Sequence, residues 1–194
     1  MAYTITEQHL IAIAGARTAL MPELAHWINA VCPSYHIDTA GEFRHFLAQA
    51  CHETDHFKTL CEYASGHAYE GRLDLGNTRP GDGSRFKGRG IFQTTGRANY
   101  LQLGIRRGHR DMFVNDPELL EQPEYAVWSA CEYWGTRGLN DPANHPDTDV
   151  LRKKYRKNVI EVSPVEFISI TINGGYNGMA ERKKFYRIAQ RVLT

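Results

Sequence analysis

Cysteine is scarce in this chain. Its 194 residues include only Cys32, Cys51, Cys61 and Cys131. None of them forms a C-x-x-C pair, which excludes a dithiol redox motif and a disulfide-dense scaffold, and buried free thiols are expected. Net charge is nearly absent too, with 23 Lys and Arg against 22 Asp and Glu. No global field draws in a polyanion, so no nucleic-acid partner is expected. No run of about 18 apolar residues occurs, so no stable membrane insertion is expected. The N-terminal stretch MAYTITEQHLIAIAGA has no basic segment, and Glu7, Gln8 and His9 interrupt its apolar residues. It does not read as a signal peptide, and synthesis in the cytoplasm is expected. Internal repeats, low-complexity tracts and linkers are also missing. One domain over residues 1–194 follows, of a length that supports a real core.

What is present is mostly helical patterning. Thr6 is placed to cap a helix carrying Leu10, Ile11, Ile13 and Ala14. Pro22 opens a second helix with Leu24, Trp27, Ile28 and Val31, and Pro33 closes it. Asp38 or Thr39 caps a third, AGEFRHFLAQACHETDHF. Helical spacing returns after Thr95, at Asp116-Pro117 and over Glu124 to Trp134. It recurs over Asp149 to Lys157, Ser163-Pro164 to Ile172 and Glu181 to Leu193. The basic run Arg152 to Lys157 (RKKYRK) reads as a solvated helical face or as a contact for an anionic wall polymer. Between Ser65 and Gly96 eight glycines fall and no helical period survives. Loops of this length are usually functional. The fold class is mainly α, with a Gly-rich irregular lobe at about 63–96.

The end of the third helix carries chemistry. His52-Glu53-Thr54-Asp55-His56 matches H-E-x-x-H, which on a helix puts two imidazoles one turn apart beside a general base for zinc-bound water. A catalytic zinc needs a third protein ligand, and Glu70 is the nearest candidate carboxylate. A second reading pairs Glu53 with Glu62, since glycosidases use one protonated carboxyl and one carboxylate. Nine residues at about 100° each turn through about 900°, so the two face one cleft only if the helix ends between them. Asp55, Lys58 and Thr59 weaken the helix there, and Ser65-Gly66 follow.

Four segments in order then resemble glycoside hydrolase family 19, the chitinase-like group that includes many phage endolysins. The similarity runs from about Phe46 to Tyr186. AQACHETDHF resembles the family's A-x-x-x-H-E-[ST] helix, which implies that Glu53 is the general acid. Relatives commonly have a small residue such as Gly at the position of His56, making H-E-x-x-H incidental. The segment from Tyr69-Glu70-Gly71-Arg72 to Tyr100 resembles the family's G-D-G and [FY]-x-G-R-G-x-x-Q-[LIT]-[ST]-G-R-x-N-Y patterns. It implies that Gln93 lies at the cleft floor and that Thr95 helps hold the attacking water. Ile172-Asn173-Gly174-Gly175 resembles I-N-G-G, whose Asn binds a substrate sugar. Glu181 to Tyr186 resembles D-R-x-x-F-Y, whose arginine, here Arg182, supports the catalytic carboxylates.

The resemblance implies a lysozyme-like helical domain in which the Gly-rich lobe forms one side of the cleft. Glu53, Glu62 and Thr95 are the expected catalytic set, with Glu70 as reserve for the second carboxylate. Gln93, Asn173, Arg182 and Tyr100 are the expected binding set, and Tyr63, Tyr69 and Phe86 are further candidates for lining sugar sites. The expected reaction is inverting hydrolysis of β-1,4 bonds in bacterial peptidoglycan glycan strands, by a monomer with no metal or other cofactor. It would take place in the periplasm after release by another factor. Lack of the plant-type cysteines and short loops favour this over a secreted chitinase. A chitinase, a non-catalytic wall-binding module and a zinc protease remain as alternatives.

Overall fold

A computed structural model describes residues 3–194. Its helices are α1 (Glu7–Ala14), α2 (Met21–Val31), α3 (Ala40–Glu53), α4 (Asp82–Arg85), α5 (Arg97–Arg106), α6 (Met112–Asn115), α7 (Pro123–Thr136), α8 (Asn140–Ala143), α9 (Pro164–Asn173) and α10 (Met179–Val192). One antiparallel hairpin, β1 (Leu151–Tyr155) and β2 (Asn158–Val162), lies between α8 and α9. The architecture is the expected mainly α one. No helix among the described residues is long and apolar enough to cross a membrane.

Local chemistry sets the helix ends. Thr6 Oγ1 accepts from His9 N while His9 Nδ1 accepts from Thr6 N, closing a reciprocal cap on α1. Thr39 and Glu42 do the same for α3. Ser163 and Glu166 do so for α9, which Gly174 ends in the left-handed region.

Two apolar clusters hold these elements together. Helix α3 runs through the larger one, where Phe43, Phe46, Leu47, Ala50 and Cys51 are buried and α10 packs along its length. The smaller cluster, Phe86, Tyr100, Phe113, Leu120 and Trp128, underlies the Gly-rich lobe. Helix α7 supplies both, through Trp134 and Cys131 to the first and Trp128 to the second. The lobe is thereby fixed against the helical body.

Sequence expectation and structure differ at two places. Residues 149–157 do not form a helix, because the segment alternates with period two. Leu151, Lys153 and Tyr155 turn inward and Arg152 and Lys154 outward, paired from Leu151↔Val162 to Tyr155↔Asn158. The basic run is thus one strand and its turn. Asp116-Pro117 starts only a 3₁₀ turn, Pro117–Glu121, before Pro123 starts α7. The lobe, although irregular, is wired by polar groups. Asn77 is fully buried; it donates to Tyr69 O at 2.8 Å and accepts from Arg97 N at 2.8 Å. Buried Asp82 takes both Arg97 Nε and Nη2, and this hydrogen-bonded guanidinium holds its carboxyl below the usual range. With few apolar side chains to bury, the lobe relies on satisfied hydrogen bonds.

Cys32, Cys51 and Cys131 are buried free thiols, and Cys61 is half-buried.

Candidate active site

Helix α3 ends at Glu53, so the break required between Glu53 and Glu62 is present. Thr54 caps the helix, and its hydroxyl donates to Ala50 O and accepts from Phe57 N. The chain then turns through three consecutive non-glycine residues in the left-handed region: Asp55 (φ 46°), His56 (φ 64°) and Phe57 (φ 62°). Each costs on the order of 1 kcal/mol relative to an ordinary conformation. Burial of Phe57 in the core holds the turn in place.

This turn removes His56 from the helix face that H-E-x-x-H requires. Both rings are engaged elsewhere: His52 Nδ1 hydrogen-bonds Glu181 Oε2 at 2.6 Å, and His56 Nδ1 hydrogen-bonds Ala14 O at 3.0 Å. His56 Nε2 lies 3.5 Å from Glu181 Oε1. Among the described residues no group of three or more His, Cys, Asp or Glu is arranged to hold a metal ion. Gly178, left-handed at φ 70°, lies so close to the His52 ring that a Cβ there would sit 2.3 Å from it.

Glu53 is held by a buried cation. Arg182, 1% exposed, donates through Nη2 to Glu53 Oε1 and through Nη1 to Gln49 Oε1 at 2.7 Å. Gln49 in turn donates to Ser169 Oγ at 2.9 Å. Glu53 Oε2 has no hydrogen-bond partner among the described residues, so one carboxylate oxygen is anchored and the other left for chemistry. Arg182 is therefore a support for the carboxylate rather than a sugar-binding group, which corrects its place in the expected binding set.

Glu62 is fixed on both oxygens. Oε1 accepts from Gly88 N at 2.7 Å and Oε2 from the Tyr69 hydroxyl at 3.0 Å. Burial, and then the Glu62 carboxylate, raise the Tyr69 hydroxyl above its ordinary pKa, so it remains a donor. Glu70 is also spoken for: its oxygens accept from Gly81 N at 2.7 Å and Gly83 N at 2.8 Å, tying the lobe at the start of α4. Its partners are backbone amides, and the nearby Arg72 pairs with Asp74 instead.

Gln93 adopts the left-handed region at φ 50°, and its buried Oε1 has no hydrogen-bond partner. Backbone strain and buried acceptors without a partner both cluster at functional sites. A Cβ on Gly88 would lie 2.7 Å from Gln93 Oε1 and 3.4 Å from Glu62 Cδ, so that glycine lets the two side chains meet. Thr95 Oγ1 donates to Gln93 O at 2.9 Å. Gln93 and Thr95 line a cavity of about 350 Å³ together with Phe92, Tyr133, Arg137 and Ile172. Neither Glu53 nor Glu62 lines it directly. Gln93 brings it beside Glu62, and Tyr133 brings it within reach of the Glu53 charge. Burial raises the Tyr133 pKa, Arg137 opposes the rise, and Glu53 adds to it.

Other expected binders fall differently. Asn173, half-buried, ends α9 ahead of the Gly174 cap. Tyr100 and Phe86 are fully buried in the smaller apolar cluster. The Tyr100 hydroxyl donates to Lys87 O at 2.6 Å and accepts from Arg89, so both aromatics are core groups and not sugar platforms. Tyr63 is exposed and donates to Asp55 Oδ2 at 2.9 Å. Sequence reasoning missed Gln49, Glu181 and Tyr133. Gln49 was findable, since it precedes Glu53 by one helical turn and so lies on the same face of α3.

No protein-family model matches the chain. A Haemophilus influenzae protein, a glycosyl hydrolase family 19 domain-containing protein, is 31% identical over 126 residues, covering 65% of this chain and 52% of that protein. The match thus spans about half the length of that relative. The crystal structure of chitinase C from Streptomyces griseus superposes with a TM-score of 0.64 at 17% identity, covering 99% of this chain and 93% of that one. The fold is that of glycoside hydrolase family 19. The crystal structure of a bacterial family 19 chitinase superposes with a TM-score of 0.60 at 18% identity over 97% of this chain and 94% of that one.

Proposed function

We propose that the chain is an endolysin-like glycoside hydrolase that cleaves β-1,4 bonds of the peptidoglycan backbone by inverting general acid/base hydrolysis. The observation that carries this reading is the contrast between the two carboxylates. Glu53 keeps one oxygen unpartnered, as a group that hands over a proton must. Glu62 is pinned by Gly88 N and Tyr69 as an acceptor, as a group that orients and deprotonates water must be. In this reading Glu53 protonates the glycosidic oxygen, and Glu62, with Thr95, directs water to the opposite face of the sugar. An inverting pair stands roughly 6.5–9.5 Å apart to leave room for that water. Gln93 and Asn173 hold the sugar. The protein acts as a monomer in the periplasm, reached with the help of another factor.

A chitinase is the second reading, because chitinases share the fold and would use the same carboxylates. Digesting purified peptidoglycan and chitin oligomers side by side, with mass spectrometry of the new reducing ends, separates the two. Release of muramic-acid or N-acetylglucosamine reducing ends from peptidoglycan supports the first. Products from chitin alone support the second, and no new reducing ends from either substrate removes the glycosidase reading.

A further inference from the structure

The charges lining the active-site cavity do not cancel. Three charged side chains face it: Arg106, Glu132 and Arg137. Glu132 is fully used, since Oε2 accepts from Arg106 Nη1 at 3.1 Å and Oε1 from the Tyr35 hydroxyl at 2.7 Å. Arg137 makes no ion pair among the described residues. It follows the last residue of α7, with its guanidinium carbon 5.1 Å from the centre of the Tyr133 ring. Tyr133 is itself fixed, with its hydroxyl donating to Thr171 O at 2.9 Å and its ring set edge-on to Phe92 at 5.9 Å. The guanidinium therefore rests on a rigid aromatic platform, which lowers the entropy lost when its free N–H edge binds a ligand.

The same cavity presents Gln93 and Thr95. Arg137 lines it with them, so a glycan strand bound at those two residues has this guanidinium within the same cavity. Chitin is neutral there. A peptidoglycan strand instead carries a lactyl group on every second sugar, ending in a carboxylate or in an acidic peptide stem. We propose that Arg137 is a specificity-determining residue that recognises a muramic-acid-borne carboxylate and so favours peptidoglycan over chitin. The proposal rests on the reading of the cavity as a site for peptidoglycan strands. The planar fork of Arg137 matches a carboxylate in a way a lysine would not.

Calorimetric titration in the Glu53→Gln background, which keeps strands intact, tests it with three soluble ligands of equal length: peptide-free peptidoglycan strands, stem-bearing strands and N-acetylglucosamine oligomers. One charge-assisted contact at an exposed site predicts about tenfold tighter binding of a carboxylate-bearing strand than of the neutral oligomer, or about 1.4 kcal/mol. Adding Arg137→Gln should remove that preference, as should amidating the strand carboxylates, and the two changes together should do no more than either alone. Loss confined to peptide-free strands assigns the lactyl carboxylate, and loss confined to stem-bearing strands assigns the stem; either supports the proposal. Equal affinities with Arg137 and with Gln at this position overturn it, as does no measurable binding of either peptidoglycan ligand. Reducing-end release by the wild-type protein is scored separately. Its absence, with the Arg137 effect intact, removes the hydrolase and leaves the anion site standing.

Discussion

Arg182 and Glu53 meet across 129 residues of sequence, the arginine buried on α10 and the carboxylate at the last residue of α3. Only one of the two charges is close to water: the Arg182 side chain is 1% exposed and that of Glu53 18%. Removing the carboxylate partner of a buried cation costs more than the pair itself contributes, and the converse holds for the carboxylate. Arg182→Met is expected to destabilise the fold by about 3 kcal/mol, the lower end of the range for breaking a buried pair, because Glu53 retains some hydration. Arg182→Lys should recover part of this, since it restores charge but reaches only one of Gln49 and Glu53. Urea unfolding of the three proteins measures it, and a loss under about 1 kcal/mol for the Met variant would show that the pair is not buried in solution.

Glu53→Gln separates support from chemistry. Glutamine keeps an acceptor for Arg182 but has no proton to transfer, so the variant should fold and lose about 10²–10⁴-fold in turnover on purified peptidoglycan. Circular dichroism serves as the fold control. A folded variant with more than about a tenth of wild-type turnover would rule out the general-acid role.

Much of this arrangement was legible in the sequence, for identifiable reasons. The caps at Thr6, Thr39 and Ser163 are local chemistry, and the end of α3 followed from weak helix formers and from the need for two carboxylates to share a cleft. The structure adds why a small residue suits the position of His56: its backbone is left-handed, where glycine fits without strain. The hairpin at Leu151–Val162 was misread because a short charged run offers few apolar residues from which to read a period. Tyr100 and Phe86 were misplaced for a different reason. An aromatic beside a functional motif looks the same in sequence whether it faces the sugar or the core, and only the smaller cluster under the lobe decides it. The Gln49–Arg182–Glu53 chain was invisible as a unit because it is formed by tertiary packing of α3 on α10.

His45 makes the fold sensitive to acid. Its ring is 1% exposed, stacks on Tyr186 at 4.2 Å and leaves Nδ1 without a partner. Burial, with the neighbouring Arg44 charge, pushes its pKa down to about 3. An unfolded histidine titrates near 6.5, so between these values the unfolded chain binds more protons than the folded one. The contribution of neutral His45 is complete above about pH 6.5 and is lost progressively as pH falls toward 3, at up to about 1.4 kcal/mol per unit. Moving from pH 7 to pH 5 should thus cost about 2 kcal/mol through this residue. His45→Phe should show a smaller loss over the same interval in urea titrations. Equal losses in both proteins would place the titrating group elsewhere.

The H-E-x-x-H string should prove chemically idle as a metal motif. A chelator is expected to leave glycan hydrolysis unchanged, and His56→Gly should be tolerated. The glycine relieves a left-handed backbone and gives up the ring contacts to Ala14 O and Phe185, two effects of opposite sign and similar size. Activity lost in chelator and restored by zinc would overturn this.

The assignment of the base turns on how Glu62 and Glu70 are held. Both carboxylates have both oxygens hydrogen-bonded, and what separates them is place: Glu62 lies beside Gln93, which lines the cavity, whereas Glu70 ties the amides of Gly81 and Gly83 within the lobe. Glu62→Ala should cut turnover severely with little change in affinity, because a general base acts on the transition state and not on ground-state binding. The space left by the carboxylate should admit a small anion, so azide is expected to restore some activity and to give an inverted glycosyl azide. Glu70→Ala should instead leave two backbone donors of the lobe unsatisfied, lowering stability by about 1–3 kcal/mol while turnover per folded molecule changes much less. Thermal melts alongside single-turnover assays on the folded fraction keep the two effects apart. If Glu70→Ala is folded and inactive while Glu62→Ala is active, the water is activated from Glu70, and the hydrogen bonds to Gly81 and Gly83 must open during the reaction.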